Sequence, residues 1–113
     1  MGFQEKINKA WELKKDGNSS EAMALYSGLY EQLIKDAFKN TGNPTDSYLE
    51  DEIRVGNYLK GDNLACTILN NMAVILAENG QKESARKYFN ESIKYTPKDL
   101  DYQNPVIGLK ELE

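Results

Sequence analysis

Histidine is absent from this chain, and with it the commonest general base and the commonest metal ligand. Cysteine occurs once, at Cys66, which excludes an intramolecular disulfide and fits a reducing compartment. Basic residues stand singly or in pairs, as at Lys14-Lys15 and Arg86-Lys87, so no stripe exists that could follow a phosphate backbone. The net charge of −4 points the same way and disfavours an anionic membrane surface. No apolar run reaches the roughly 18 residues of a membrane span. The first twenty residues lack the continuous apolar segment of a signal peptide, and Lys6 stands where a myristoylation signal needs Ser or Thr. Neither a Gly-rich phosphate loop nor a nucleophile–base pair is present, so the chain reads as a cytoplasmic non-enzyme with no cofactor, no metal, no nucleic-acid partner and no membrane.

What the chain does have is helical periodicity. The most apolar stretch, Asp62 to Gly80, carries Leu64, Ala65, Cys66, Ile68, Leu69 and Met72 through Ala77 on almost every face of a helix, which requires burial on several sides. Asp62 is its expected N-cap, Gly61 its break from what precedes, and Asn79-Gly80 its left-handed stop. Before it, Phe3, Ile7, Ala10, Trp11 and Leu13 define an amphipathic helix ending at Asp16-Gly17. A second helix follows from about Ser19 to Asn40, capped by Ser19 or Ser20, with one stripe through Ala22, Leu25, Tyr26, Leu29 and Leu33 and another through Met23, Tyr30, Ile34, Ala37 and Phe38. Two stripes imply two packing partners. Gly28 inside it is either a tolerated cost or a point of close helix approach.

Asn40 to Thr45, NTGNPT, is dense in breakers and reads as a loop, after which Ser47 and Glu50 have the spacing of a capping box for a helix to about Lys60. The acidic opening of that helix, Glu50-Asp51-Glu52, suggests a cation site. Carboxylates are favoured at any helix N-terminus, however, and three in succession point in different directions. Gln81 to Tyr95 forms a further helix stopped by Pro97. Asn104 as cap and Pro105 at the first helical position open a last one through Val106, Leu109 and Leu112.

Laid over itself with a shift of 63 residues, the chain brings Asn8 onto Asn71, Ala10 onto Ala73, Leu13 onto Leu76, Gly17 onto Gly80, Ala22 onto Ala85 and Tyr26 onto Phe89. Each copy is a helix, a Gly turn and a second helix with an alanine five residues after the glycine, and such internal repetition is the sequence sign of a stacked-repeat architecture. The second copy, with Leu69, Met72-Ala73, Leu76, Gly80, Ala85, Phe89 and Pro97, resembles a tetratricopeptide repeat; the first matches at Ala10, Leu13, Gly17, Ala22 and Tyr26 but has no terminal proline. The expected fold is therefore all-α, a single domain over 1–113 of antiparallel helix-turn-helix repeats in an α-α superhelix with five to six helices. Repeat one spans about 3–34. An insert at 35–61 holds the loop 40–45 and an extra helix 47–60. Repeat two spans about 62–97, and a capping helix about 104–112.

The layout is similar to the first repeats of immunophilin-type co-chaperone domains, in which Lys and Asn side chains spread over three repeats clamp a terminal carboxylate. Asn71 matches one clamp asparagine. Ile7 and Trp11 stand where Lys and Asn are needed, and the tail offers no third repeat with Lys and Arg, so the clamp is not expected here.

The resemblance implies a concave groove lined by the first helix of each pair: Gln4, Ile7, Asn8, Trp11 and Lys15 from repeat one, and Thr67, Asn70, Asn71 and Val74 from repeat two. Trp11 is either an exposed anchor or a core residue. The shared position of Asn8 and Asn71 favours a structural hydrogen bond. The leading expectation is a protein-interaction module holding a peptide or helix. The alternative is self-association, or a segment of a longer repeat protein, since a short solenoid without polar caps leaves apolar faces uncovered and this one stops within a helical pattern at Leu112-Glu113.

Overall fold

A computed structural model describes residues 2–60 and 63–113, the side chain of Asn63 aside. Among the described residues the chain forms six helices and no strand: α1 (Phe3–Lys15), α2 (Ser19–Thr41), α3 (Tyr48–Lys60), α4 (Asn63–Glu78), α5 (Lys82–Lys94) and α6 (Asn104–Glu111). The all-α architecture read from periodicity is the one observed. The expected break at Gly61 and cap at Asp62 lie outside the described residues.

Two turns with the same backbone pattern organise the molecule. At the end of α1, Gly17 takes φ +87° and its N–H donates to Lys14 O at 3.1 Å, while Asn18 N–H donates to Leu13 O at 2.8 Å. At the end of α4, Gly80 takes φ +79°, with Gly80 N–H on Ala77 O at 3.1 Å and Gln81 N–H on Leu76 O at 2.9 Å. Both are Schellman stops, in which a left-handed residue lets two N–H groups satisfy the orphan carbonyls of the last turn. A side chain at either glycine would sit in a region costing roughly 1–2 kcal/mol. Each chain then turns back at once: Ala22 N–H meets Asn18 O, and Ala85 N–H meets Gln81 O, both at 3.0 Å. The bonds of the first turn superimpose on those of the second under the 63-residue shift.

The alanines at the crossings explain how the returning helices fit. Ala10, Ala22, Ala73 and Ala85 are all fully buried, so each hairpin closes with methyl groups at the contact. Tyr26 and Phe89 fill the space beyond them, also buried. The central helix α4 packs against all five others, which is why Ala65, Cys66, Ile68, Leu69, Ala73 and Ile75 have no exposed surface. Its apolar circumference is thus explained by position. Lys14 and Glu78 form a 3.2 Å ion pair joining the C-terminal turns of α1 and α4, so the leading helices of the two hairpins lie side by side and run the same way.

The long α2 is shared. It lies on α1, α3 and α4, as its two apolar stripes require. It continues through Asn40 and Thr41 into the predicted loop, because Asn40 Nδ2 donates to Asp36 O at 2.7 Å and the Thr41 hydroxyl to Ala37 O at 2.6 Å. The irregular segment is therefore 42–47. Its carbonyls are collected by Arg54, which donates to Gly42 O at 3.1 Å and Asn43 O at 2.9 Å.

Three capping expectations need correction. Ser19 and Ser20 lie inside α2, whose N-cap is Asn18 with no side-chain cap bond, and Asn104 is the first residue of α6 rather than its cap. Ser47 does cap α3, accepting from Glu50 N–H at 3.3 Å. Of the three carboxylates that open α3, Asp51 turns back to accept from Thr45 N–H at 2.8 Å and the Thr45 hydroxyl at 2.9 Å. These bonds, together with Arg54 at 3.2 Å, hold its carboxyl below the usual carboxylate range. Glu52 faces Lys94 across 3.4 Å instead.

Candidate functional site

A groove of about 700 Å³ opens between α1, α4 and α6. Its first two walls follow from the parallel placement of α1 and α4: residues one turn apart on one helical face, Gln4, Asn8 and Trp11 with Ile7 beneath, meet Thr67, Asn71 and Val74 with Asn70 beneath. Under the 63-residue shift Gln4 pairs with Thr67, Ile7 with Asn70, Asn8 with Asn71 and Trp11 with Val74. Eight of the nine expected groove residues line this one cavity.

The ninth, Lys15, does not. It lies on the same face one turn beyond Trp11, exposed at the end of α1, where its ammonium pairs with Glu12 at 2.9 Å rather than lining the cavity. Ile7 also departs from the expectation of an accessible groove residue. It is 2% exposed, held between α1, α2 and α4, and forms floor.

The polar groups of the groove form a connected set. Asn70 Nδ2 donates to Asn71 Oδ1 at 3.3 Å, Asn71 Nδ2 to the Tyr26 hydroxyl at 3.1 Å, and that hydroxyl to Ile7 O at 3.4 Å. One chain of bonds therefore crosses from α4 through α2 to α1 under the groove. Burial pushes the Tyr26 phenol up to about 12, the Asn71 bond opposing this in part. Asn8 accepts from Gln4 Nε2 at 3.2 Å on the groove wall, so the two asparagines that coincide in the sequence overlay have different duties. Asn70 is only 4% exposed, and its Oδ1 accepts no hydrogen bond among the described residues. A buried acceptor left unmade costs roughly 1–3 kcal/mol, which makes Asn70 the point of the groove most in want of a donor.

Trp11 is half-buried. Lys14 Nζ lies 4.7 Å from its ring centroid, a cation–π contact that leaves the indole part of the groove wall rather than the core.

The third wall was absent from the sequence reading. Tyr102, Asn104, Ile107, Gly108 and Glu111 belong to α6 and the segment before it, and Glu12 extends the first wall. Gly108 makes this wall possible: a Cβ there would lie 2.4 Å from two ring atoms of Phe89, so only glycine lets α6 rest on that ring. Leu109 and Leu112 pack with Phe89 against Ala73 and Ala77, and Tyr102 lies against Thr67. Thus α6 runs parallel to α4, leaving Ile107 52% exposed toward the groove. An isolated glycine amid Val, Ile and Leu was the available signal, and it signifies contact only once the partner ring is known.

Helical hairpins stacked so that their leading helices share a concave face define a helical-repeat protein. Residues 66–99, from α4 to just beyond α5, match the family model of the tetratricopeptide repeat. No curated protein and no solved structure matches the chain.

Proposed function

We propose that this protein is a non-catalytic interaction module that holds an extended peptide or a helix of a partner protein in the α1–α4–α6 groove. The reading is carried by one observation: a row of amide and hydroxyl side chains, Gln4, Asn8, Thr67, Asn71 and Asn104, lies along a concave face with an accessible indole at one end. Amides offer a donor and an acceptor together, which matches the alternating groups of a peptide backbone. The indole supplies apolar area at little entropic cost. In this reading residues 3–34 are a diverged first repeat, 62–97 the second, and α6 closes the groove; the lone thiol and the absence of any helix long and apolar enough to cross a membrane among the described residues are compatible with a cytoplasmic setting.

Trp11 is the only tryptophan, so its emission reports directly on the groove. Titration with a partner captured from a peptide library is expected to shift that emission saturably. A binder that leaves it unmoved, and binds Trp11→Ala equally well, would place recognition elsewhere.

A second reading, self-association, is favoured by α3. Leu49 and Ile53, one turn apart on α3, are 65% and 57% exposed on one face, and Tyr48 beside them is 81% exposed. Sedimentation across the micromolar range tests it. A mass that rises with concentration and falls back in Leu49→Lys supports this use of α3, and a constant monomer mass removes it.

A further inference from the structure

The groove has two chemically different ends. Because α1, α4 and α6 run the same way, their C-terminal turns meet beside Trp11 and Val74, where Glu12 and Glu111 are the only charged groove-lining residues among those described. Glu12 is paired with Lys15, whereas Glu111 joins no ion pair among the described residues. Three helix C-termini add negative partial charge at the same place. The opposite end, at Gln4, Thr67, Tyr102 and Asn104, is uncharged. Between them Asn70 Oδ1, buried and without a donor among the described residues, belongs to a side chain that lines the cavity.

Resting on the groove reading above, we infer that the partner is a cationic extended peptide: its backbone lies along the amide row, Asn70 turning its buried oxygen outward to accept an N–H, and a lysine or arginine side chain occupies the end bounded by Trp11, Glu12 and Glu111. Four features favour this charge over the opposite one. The two ammonium groups nearest that end, Lys14 and Lys15, are already paired with Glu78 and Glu12, which leaves Glu111 as the charge there without an ion pair among the described residues. Glu111 has an open acceptor. The indole already carries one ammonium, Lys14, on its ring, so the site is shown to be compatible with a cation at that ring. The net charge of −4 steers basic segments toward the molecule.

A randomised dodecapeptide library displayed on an array and probed with the purified protein tests this directly. Enrichment of Lys or Arg at one position is the expected result. In a selected binder, replacing that residue by Gln should weaken affinity about fivefold, the scale of an exposed ion pair with a cation–π contact. In the protein, Glu111→Gln should remove most of that difference, and Glu111→Lys should reverse it, with unchanged helical circular dichroism because Glu111 is exposed. Selected peptides enriched in Asp or Glu, or without charge preference, would overturn the cationic assignment and leave the groove reading standing. Binders insensitive to both Glu111 variants and to Trp11→Ala would overturn the placement. A folded protein that selects no peptide from the library would sink the groove reading and this inference with it.

Discussion

Asn71 on α4 donates to the hydroxyl of Tyr26 on α2 across 3.1 Å, and through that hydroxyl reaches the backbone of Ile7 on α1. The two residues stand 45 positions apart and belong to different hairpins, so this bond is part of what sets one hairpin against the other. Removing the hydroxyl while keeping the ring isolates its contribution. Tyr26→Phe is expected to lower the unfolding free energy by about 1–2 kcal/mol, since both partners lose a bond. A chemical-denaturation midpoint equal to that of the parent would show that the polar chain under the groove contributes nothing.

Two glycines in helices should respond in opposite directions to alanine. Gly28 is exposed on α2, and a methyl group added there would meet no neighbouring atom, so Gly28→Ala should stabilise by about 0.5–1 kcal/mol through helix propensity alone. Gly108 rests on the Phe89 ring, so Gly108→Ala must displace ring or helix and should destabilise by about 1–3 kcal/mol. Thermal melting of the pair decides it, and equal shifts of one sign would contradict the packing of α6.

Ala85 is fully buried between Ala73 and Phe89, where a longer side chain cannot be added without moving a helix. Ala85→Leu is expected to cost about 1–3 kcal/mol by overpacking. An unchanged melting midpoint would mean that α4 and α5 do not meet at this residue.

Alkali should unfold this protein over a defined range. A phenol whose pKa is higher folded than unfolded keeps its proton more tightly in the folded chain; its contribution is full below its ordinary value and fades as pH rises through the folded one. For Tyr26 that window runs from 10.0 to about 12. Burial moves Tyr30, Tyr95 and Tyr102 in the same direction. Loss of helical ellipticity should therefore accompany phenolate absorbance above pH 10, and Tyr26→Phe should shift the loss to higher pH relative to its own neutral-pH stability. Phenolate formation complete near pH 10 with the helices intact would contradict the buried placement of these rings.

Trp11→Ala should weaken partner binding more than it lowers stability, because the indole is half-buried and lies on the groove wall. Equal affinity with a large loss of stability would return Trp11 to the core.

The parts legible in the sequence were those that one helix decides for itself. Gly17 and Gly80 had to be left-handed stops because each follows an apolar-periodic run and no side chain suits that backbone, and the apolar circumference of 64–77 demanded a central position whatever surrounded it. Caps were less legible. Asn18 stands next to Ser19 and Ser20, all acceptable at an N-cap, and the turn after Gly17 selects among them. The groove was legible in two walls, since α1 and α4 repeat one another; that Lys15 pairs with Glu12 instead of lining the cavity is a contact periodicity does not encode.

Residue order alone therefore determined the helices, two equivalent turns and the faces that must be covered, because propensity, periodicity and glycine conformation act over a few neighbours. Only the tertiary structure decided that α6 lies on Phe89 through Gly108, that Glu111 thereby arrives beside Trp11, and that the Asn70 side-chain oxygen is buried without a donor among the described residues. These depend on distances between residues tens of positions apart, which packing sets and no local pattern encodes.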